Sequence, residues 1–379
     1  MDIKFGEEQE MLQKTAFDFL STECPKTKVI ELEEDEKGYS PEMWKKMAEL
    51  GWQGLMIPEE YGGMGMTFQD LTVLLEQMGR NVTPGPFFCT VVEGANYIME
   101  AGSDEQKKEF LPKIAEGEII VTTAILEPGG IYYEPAGINL KATKQGDGYV
   151  LKGVKVFVEM ANVADYIICV ARTAGGAGTD GISLFIVDAK STGVSIEVMP
   201  TIAYDKLCEV RFDDVAVPAK NVLGEAGKGW PVVQTLLRKG KIAKAAESVG
   251  GMQAAVDMTV AYCKERVQYD RQIGAFQALQ HIMSDMWMIT QTSKHIAYQA
   301  AWMESEGEPC DMEAAMAKAY VNENYKWVTE RAVNLHGGIG TSREHDIGHY
   351  YRRAKSADTA LGDTELQREL VATKIGLVS

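Results

Sequence analysis

The chain has 379 residues, and 55 acidic against 38 basic side chains leave a formal charge of −17. That balance excludes nucleic acid as a partner, because a phosphate backbone calls for a basic surface. No apolar run approaches the ~20 residues that span a bilayer, and Met1-DIKFGEEQEMLQ reads as an amphipathic helix rather than a signal peptide, so no membrane association and a cytoplasmic location are expected.

Up to about residue 121 the texture is helical. Pro41-EMWKKMAELG, Thr67-FQDLTVLLEQMG and Asp104-EQKKEFLPKIAEG space their apolar residues at helical intervals between Ser, Thr, Asp or Gly boundaries. Between about 122 and 226 short β-branched runs broken by glycine take over. Tyr149-VLKGVKVFVEM, Tyr166-IICVAR, Gly181-ISLFIVDA and Val194-SIEVMP predict strands of an antiparallel sheet. Long helices return from about 227 to the end, in Pro231-VVQTLLRKGKIAKAAESVGGMQAAVDMTVAYCKERV and Glu313-AAMAKAYVNENYKWVTERAVNLHG. The order α, then β, then α disfavours a Rossmann sheet, whose strands and helices alternate. Near the C-terminus, Ala357-DTALGDTELQREL predicts a turn at Gly362 and a helix capped by Asp363 or Thr364.

Six cysteines (Cys24, Cys89, Cys169, Cys208, Cys263 and Cys310) form no CxxC pair and are expected to be reduced and buried. His345 and His349 stand at i, i+4, but Gly348 weakens a helix there and no further ligand is near in sequence. A polar surface is the expected role, with no metal site.

Five collinear stretches carry a resemblance: Gly51-WQGLMIPEEYGGMG, Glu127-Pro128-Gly129, Val210-RFDDVAVPAKNVLGEAGKGW, Arg266-VQYDRQIGAFQALQH and Asn334-LHGGIG. Together they resemble the acyl-CoA dehydrogenase family over essentially the whole chain. The resemblance implies an α+β fold of an N-terminal helical domain (1–121), a central antiparallel β-barrel or sandwich (122–226) and a C-terminal four-helix bundle (227–379). It also implies a tetramer, FAD, an acyl-CoA substrate and an electron-transfer flavoprotein as redox partner. Family chemistry removes the proton alpha to a thioester while a hydride leaves the beta carbon for the flavin, so a base and a polarised thioester oxygen are required.

The base of the resembled pattern is a Glu in Tyr-Glu-Gly-Thr, which falls on Ala360-Leu361-Gly362-Asp363. Leu361 cannot take a proton, although its backbone N–H can still hold the thioester oxygen. Other family members place the base one residue before an Arg of a bundle helix. Here those positions are Gly240 and Lys241, the latter a substrate-binding candidate. Flavin contacts that the family makes to a neighbouring chain are kept as Arg266, Phe276, Gln277, Gly337 and Gly338. Those made within the chain are altered. Leu126 stands for a Thr, Gly130-IYYEP follows Pro-Gly where Gly-Ser-Asp is usual, and Phe157-Val158-Glu159 replaces Trp-Ile-Thr. A carboxylate at 159 would repel an anionic reduced flavin, and Asp363 and Glu365 add acidic groups where Thr and Gln would approach it.

Three readings follow from that pattern. In the first the chain is one subunit of a mixed oligomer, a hetero-tetramer whose partner supplies the base and ring pocket, where a chain that works alone would form a homo-tetramer. Alternatively it works alone on a cyclic or bulky acyl-CoA with a relocated base, for which Glu93 in Pro86-FFCTVVEGANYIMEAG is the candidate, its alternative role being an exposed helical carboxylate. In the third it is a scaffold with a retired active site.

Overall fold

The computed structural model describes residues 5–129 and 133–377. Two compact units share the chain: residues 1–30, 67–83 and 238–379 form one, and residues 31–66 and 84–237 the other.

The first unit is helical. It holds α1 (Glu7–Glu23), the start of the chain's second helix, α2 (Lys26–Glu34), and, after α3 (Pro41–Glu49) of the second unit, the helix α4 (Phe68–Asn81). Thr67 caps α4 reciprocally: its hydroxyl accepts from Asp70 N at 3.3 Å, while Asp70 Oδ2 accepts from Thr67 N at 2.9 Å. Such a box satisfies two of the donors every helix start leaves open. Two short helices of the second unit, α5 (Asn96–Ala101) and α6 (Asp104–Ala115), follow in sequence. The long helices then come in order: α7 (Trp230–Glu265), α8 (Gln277–Ser305), α9 (Asp311–His336), α10 (Ile347–Thr359) and α11 (Thr364–Lys374). α4 and α7 cross backbone to backbone. A Cβ on Gly79 would lie 1.8 Å from Glu247 O, and one on Gly250 1.8 Å from Glu76 O, so only glycine permits this approach. Glu76 is buried beside the crossing and is satisfied by Lys294 Nζ at 2.8 Å and the Tyr298 hydroxyl at 2.6 Å.

The second unit centres on an eight-stranded sheet. Its strands are β1 (Val121–Ala124), β2 (Lys141–Gln145), β3 (Gly148–Glu159), β4 (Tyr166–Arg172), β5 (Ile182–Asp188), β6 (Val194–Met199), β7 (Leu207–Val217) and β8 (Val222–Leu223), in the order β6-β7-β3-β2-β4-β5-β8 with β1 on β4. The sheet is mixed where a fully antiparallel one was expected, because β1 runs parallel to β4. β1 arrives from a helical segment and not from a hairpin, which frees its direction. Leu151, Val158, Cys169, Phe185, Val210 and Phe212 build the core on one side. The ladder between β3 and β7 slips between Lys155 and Val158, and within that irregularity Phe157 adopts φ +57°. A bulge of this type re-aims a side chain, and Phe157 is 53% exposed.

Gln106 ties α6 to this unit. Its Oε1 accepts from Ser103 N at 2.9 Å as a cap, and its Nε2 donates to Lys220 O and Val222 O, both at 2.9 Å. All six cysteines are free and buried, as their scatter predicts. Among the described residues no helix is long and apolar enough to cross a membrane.

Candidate active site

In the helical unit, α10 ends at Thr359 and the chain turns before α11. Asp363 caps α11, accepting from Leu366 N at 2.9 Å. Its carboxylate is thus held by a helix start, which also gives it the favourable end of the helix dipole. Leu361 is 5% exposed and sits at φ +60°, a region that costs a branched side chain roughly 1 kcal/mol or more. The turn is fixed from below. Lys318, fully buried, donates to Ala357 O at 2.6 Å and Asn322 Oδ1 at 2.7 Å, and Asn322 donates to Asp358 O at 3.2 Å. Asp358 in turn accepts from Lys326 Nζ at 2.6 Å and the Thr364 hydroxyl at 2.9 Å. Burial holds the Lys318 ammonium well below the ordinary lysine range, so the carbonyl and amide it bonds are what keep it in the bundle.

The two sequence positions considered for a base meet here. A Cβ on Gly240 of α7 would stand 2.9 Å from Leu361 Cδ1 and 3.3 Å from Cδ2. One isobutyl group therefore fills the volume next to both positions, and neither can take a proton. Lys241, the following residue, is half-buried and makes no hydrogen bond or ion pair among the described residues. Burial lowers its ammonium to about 8, and Asp311 pulls the other way.

A second cluster forms where α7 and α9 end. Tyr262 stacks on His336 with ring centroids 4.5 Å apart. Beyond it, Val267–Gln268 pairs with Arg271–Gln272 through a two-residue turn whose Tyr269 and Asp270 have φ +54° and +63°. Both central residues are left-handed, as a tight hairpin of right-twisted strands requires. Arg271 lies over the Phe276 ring at 4.0 Å. Arg266, Gln277, Gly337 and Gly338 are exposed, Phe276 is half-buried, and a Cβ on either glycine would meet nothing within 4 Å. Arg266, Phe276, Gln277, Gly337 and Gly338 thus belong to one end of the helical unit. Tyr269, 88% exposed, and Arg271 are members that motif matching missed, though both lie inside the matching stretch.

In the sheet unit, Glu127 accepts from Asn139 N at 3.0 Å, Leu140 N at 2.9 Å and the buried Lys155 Nζ at 2.7 Å. It is a fully used structural carboxylate. The Leu126 carbonyl accepts from Val156 N at 2.9 Å, so this position offers an apolar side chain and an occupied oxygen. Gly130, Ile131 and Tyr132 of the altered loop lie outside the described residues. Glu159 is half-buried at the end of β3, and its carbonyl accepts from the Thr122 hydroxyl at 2.5 Å.

Glu93 departs from its alternative sequence reading. It lies in a π-helical stretch, Phe88–Ala95, which runs into α5, and it is half-buried with Thr123 of β1 donating to Oε2. It is not an exposed carboxylate. Burial first, then the Glu159 and Glu93 carboxylates, push the Cys89 thiol well up, which places both acids in the electrostatic reach of one buried residue. π-Helical turns recur at functional sites, and no periodicity argument over 86–101 separates one from an α-helix. His349 also corrects its expectation: it is buried, its Nδ1 accepting from Arg352 Nη2 at 3.0 Å, and His345 lies before α10. Among the described residues no group of His, Cys, Asp and Glu could hold a metal.

Models of the acyl-CoA dehydrogenase N-terminal, middle and C-terminal domains match residues 6–118, 122–215 and 227–376. The 3-(aryl)acrylate reductase of Clostridium sporogenes (strain ATCC 15579) is 32% identical over 98% of this chain and 99% of its own. The chain belongs to the acyl-CoA dehydrogenase family. Butyryl-CoA dehydrogenase from Megasphaera elsdenii superposes with a TM-score of 0.92 at 30% identity, over 99% of this chain and 100% of that one. A chain of the ChsE4-ChsE5 complex from Mycobacterium tuberculosis gives 0.91 at 25% identity over the whole of both. The architecture of helical N-terminal part, central sheet and C-terminal bundle is the family's, and with it come FAD as cofactor and oxidoreduction of a CH–CH bond in CoA thioesters.

Proposed function

We propose that this chain is one subunit of a mixed oligomer, lending the helix-end cluster to an FAD whose ring pocket and base belong to another chain. The observation that carries this is the Leu361–Gly240 contact, which leaves no proton acceptor at either family position while the cluster around Arg266 stays exposed. FAD, when bound, supplies the hydride acceptor. Its phosphates suit an exposed guanidinium and the open backbone of two glycines, so Arg266, Gln277, Gly337 and Gly338 would hold it, with Phe276 as an apolar wall. The ring-side positions suit it poorly. Leu126 has no hydroxyl, and Glu159 brings a negative charge where a reduced flavin would become anionic. Leu361 N–H would still orient the thioester oxygen, with Lys241 close to the acyl-CoA, and an electron-transfer flavoprotein would take the electrons. The chain that resembles this one in the ChsE4-ChsE5 structure is part of a complex, which makes that structure a precedent for the arrangement and nothing more.

A second reading is favoured by the position of Glu93. A half-buried carboxylate with one oxygen held by Thr123 is oriented as a relocated base should be. The absorbance spectrum of the chain purified alone decides between them. The mixed-oligomer reading expects well under one FAD per chain and recovery of flavin on adding the partner. A yellow homo-oligomer with one tightly bound FAD per chain promotes Glu93 instead.

A further inference from the structure

Burial holds three lysine ammoniums of the helical unit below the ordinary range: Lys26, Lys241 and Lys318. Two of them have acceptors. Lys26 donates to Asn81 O at 2.8 Å, and Lys318 to Ala357 O and Asn322 Oδ1. Lys241 makes no hydrogen bond or ion pair among the described residues, and as a half-buried residue it keeps part of its surface in solvent. The carboxylates of this cluster are engaged by other cations. Lys244 pairs with Glu247 at 2.5 Å, Lys326 with Asp358 at 2.6 Å, and Asp311 with Arg238 at 3.3 Å and Lys374 at 3.4 Å. The place of Lys241 on α7 is beside the Leu361 turn. It follows Gly240, where a Cβ would stand 2.9 Å from Leu361 Cδ1, and it is one of the charges that press on Lys318, which is bonded to Ala357 O under the same turn. With its ammonium lowered to about 8, about half of the residue is free amine at pH 8, ~10²-fold more than an ordinary lysine offers. A desolvated, uncharged amine is an activated nucleophile.

We infer that Lys241 is an acylation site, whose ε-amine takes the acyl group of a CoA thioester to give an amide. The nitrogen lone pair attacks the thioester carbonyl carbon, a C–N bond forms, and the C–S bond breaks with its electrons leaving on sulfur. The proton lost by nitrogen ends on the free CoA thiol, so no oxidant or further reactant is needed. The amide is neutral, which removes the charge that burial penalises. The step rests on an acyl-CoA docking at the Leu361 turn, as the proposed function has it, and not on which chain supplies the flavin ring.

The test is peptide mapping by mass spectrometry after incubation of the purified chain with butyryl-CoA. S-butyryl-N-acetylcysteamine, the same acyl thioester without the nucleotide, is run in parallel. At pH 8 butyryl-CoA should label Lys241 at least about 10-fold faster than the exposed Lys14, Lys108 and Lys220, since a less basic amine gives back only part of its larger free fraction. The rate at Lys241 should rise about fivefold from pH 7 to pH 8 and only about twofold from pH 8 to pH 9. Labelling by butyryl-CoA should also saturate with concentration, while the small thioester shows no saturation. Labelling of Lys241 no faster than the exposed lysines, or a rise of about tenfold in each pH step, as an ordinary lysine gives, overturns the site. Preference for Lys241 with the small thioester alone overturns the CoA thioester as donor. Calorimetric titration with butyryl-CoA separates the two kinds of failure: binding without labelling sinks the acylation only, and absence of binding strikes the docking reading as well.

Discussion

At the end of the helical unit, Arg266, Gln277, Gly337 and Gly338 are exposed around a tight hairpin. In the sheet unit, the positions that correspond to ring contacts hold an occupied carbonyl at Leu126, a bulged and exposed Phe157 and a half-buried Glu159. On the resemblance read from the sequence, the first set keeps the family's residue types and the second departs from them, and the mixed-oligomer proposal rests on that contrast. A drifting gene would blunt both. Retention of the half that the family presents to a neighbouring chain, with change in the half used within the chain, is what dependence on a different chain would leave behind.

The sharpest way to break the comparison is to restore the missing base. Leu361→Glu returns a proton acceptor to the turn that Lys318 and Asp358 already hold rigid. General-base catalysis supplies ~10²–10⁴-fold, but only where the flavin ring is in place. The variant chain alone is therefore expected to turn over a straight-chain acyl-CoA at least ~10²-fold more slowly than the chain with its partner, a gap within the span of one catalytic group. Stopped-flow reduction of added FAD by butyryl-CoA measures it. Turnover by the single variant at the rate of the complex would mean that Glu159 and Leu126 are harmless.

Arg266→Ala sharpens the other side. Loss of a charge-assisted hydrogen bond to phosphate should raise the FAD dissociation constant of the complex by about 10–100-fold. The chain alone, if it holds little flavin, should change far less. Equilibrium dialysis of both preparations gives the two numbers. Equal weakening in both would place the whole cofactor within one chain type.

Much of this was readable in the sequence, and the reasons are local. Thr67, Ser103 and Asp363 announce helix starts because capping is chemistry between near neighbours. The five family stretches made the three-part architecture visible. Three things were hidden. The contact of Leu361 with Gly240 joins segments more than a hundred residues apart, and no propensity reports it. The burial of Glu93 depends on a π-helical stretch, which shifts the face by a fraction of a turn, and on Thr123 of a strand that pairs parallel to β4. Lys318 was passed over inside an alanine-rich helix, although a lysine four residues before Asn322 on an otherwise apolar face was a usable signal.

The smallest expected effect concerns Lys241, which follows Gly240 in α7 and makes no hydrogen bond or ion pair among the described residues. In the folded chain its ammonium is lowered to about 8, by burial against the pull of Asp311, from the ordinary lysine value of 10.5. A lowered lysine means that the fold disfavours the charged form. Below pH 8 both folded and unfolded chains carry the proton, and the burial penalty is felt in full. Between pH 8 and 10.5 the folded chain releases its proton first. The unfolded state then binds more protons, and stability rises with pH through that window. Lys26, also lowered to about 8, adds the same slope to any variant and cancels in a comparison. Lys241→Met, similar in length and uncharged, should stabilise the protein at pH 7 by ~1–2 kcal/mol, a discounted fraction of what the shift implies because the side chain is only half-buried. The gain should shrink towards zero by about pH 10.5. Urea unfolding of both proteins at pH 7 and pH 10 reads the difference. A gain that stays constant with pH would mean the methionine acts by packing, and destabilisation at pH 7 would mean that the Lys241 ammonium is held by an attraction stronger than its burial.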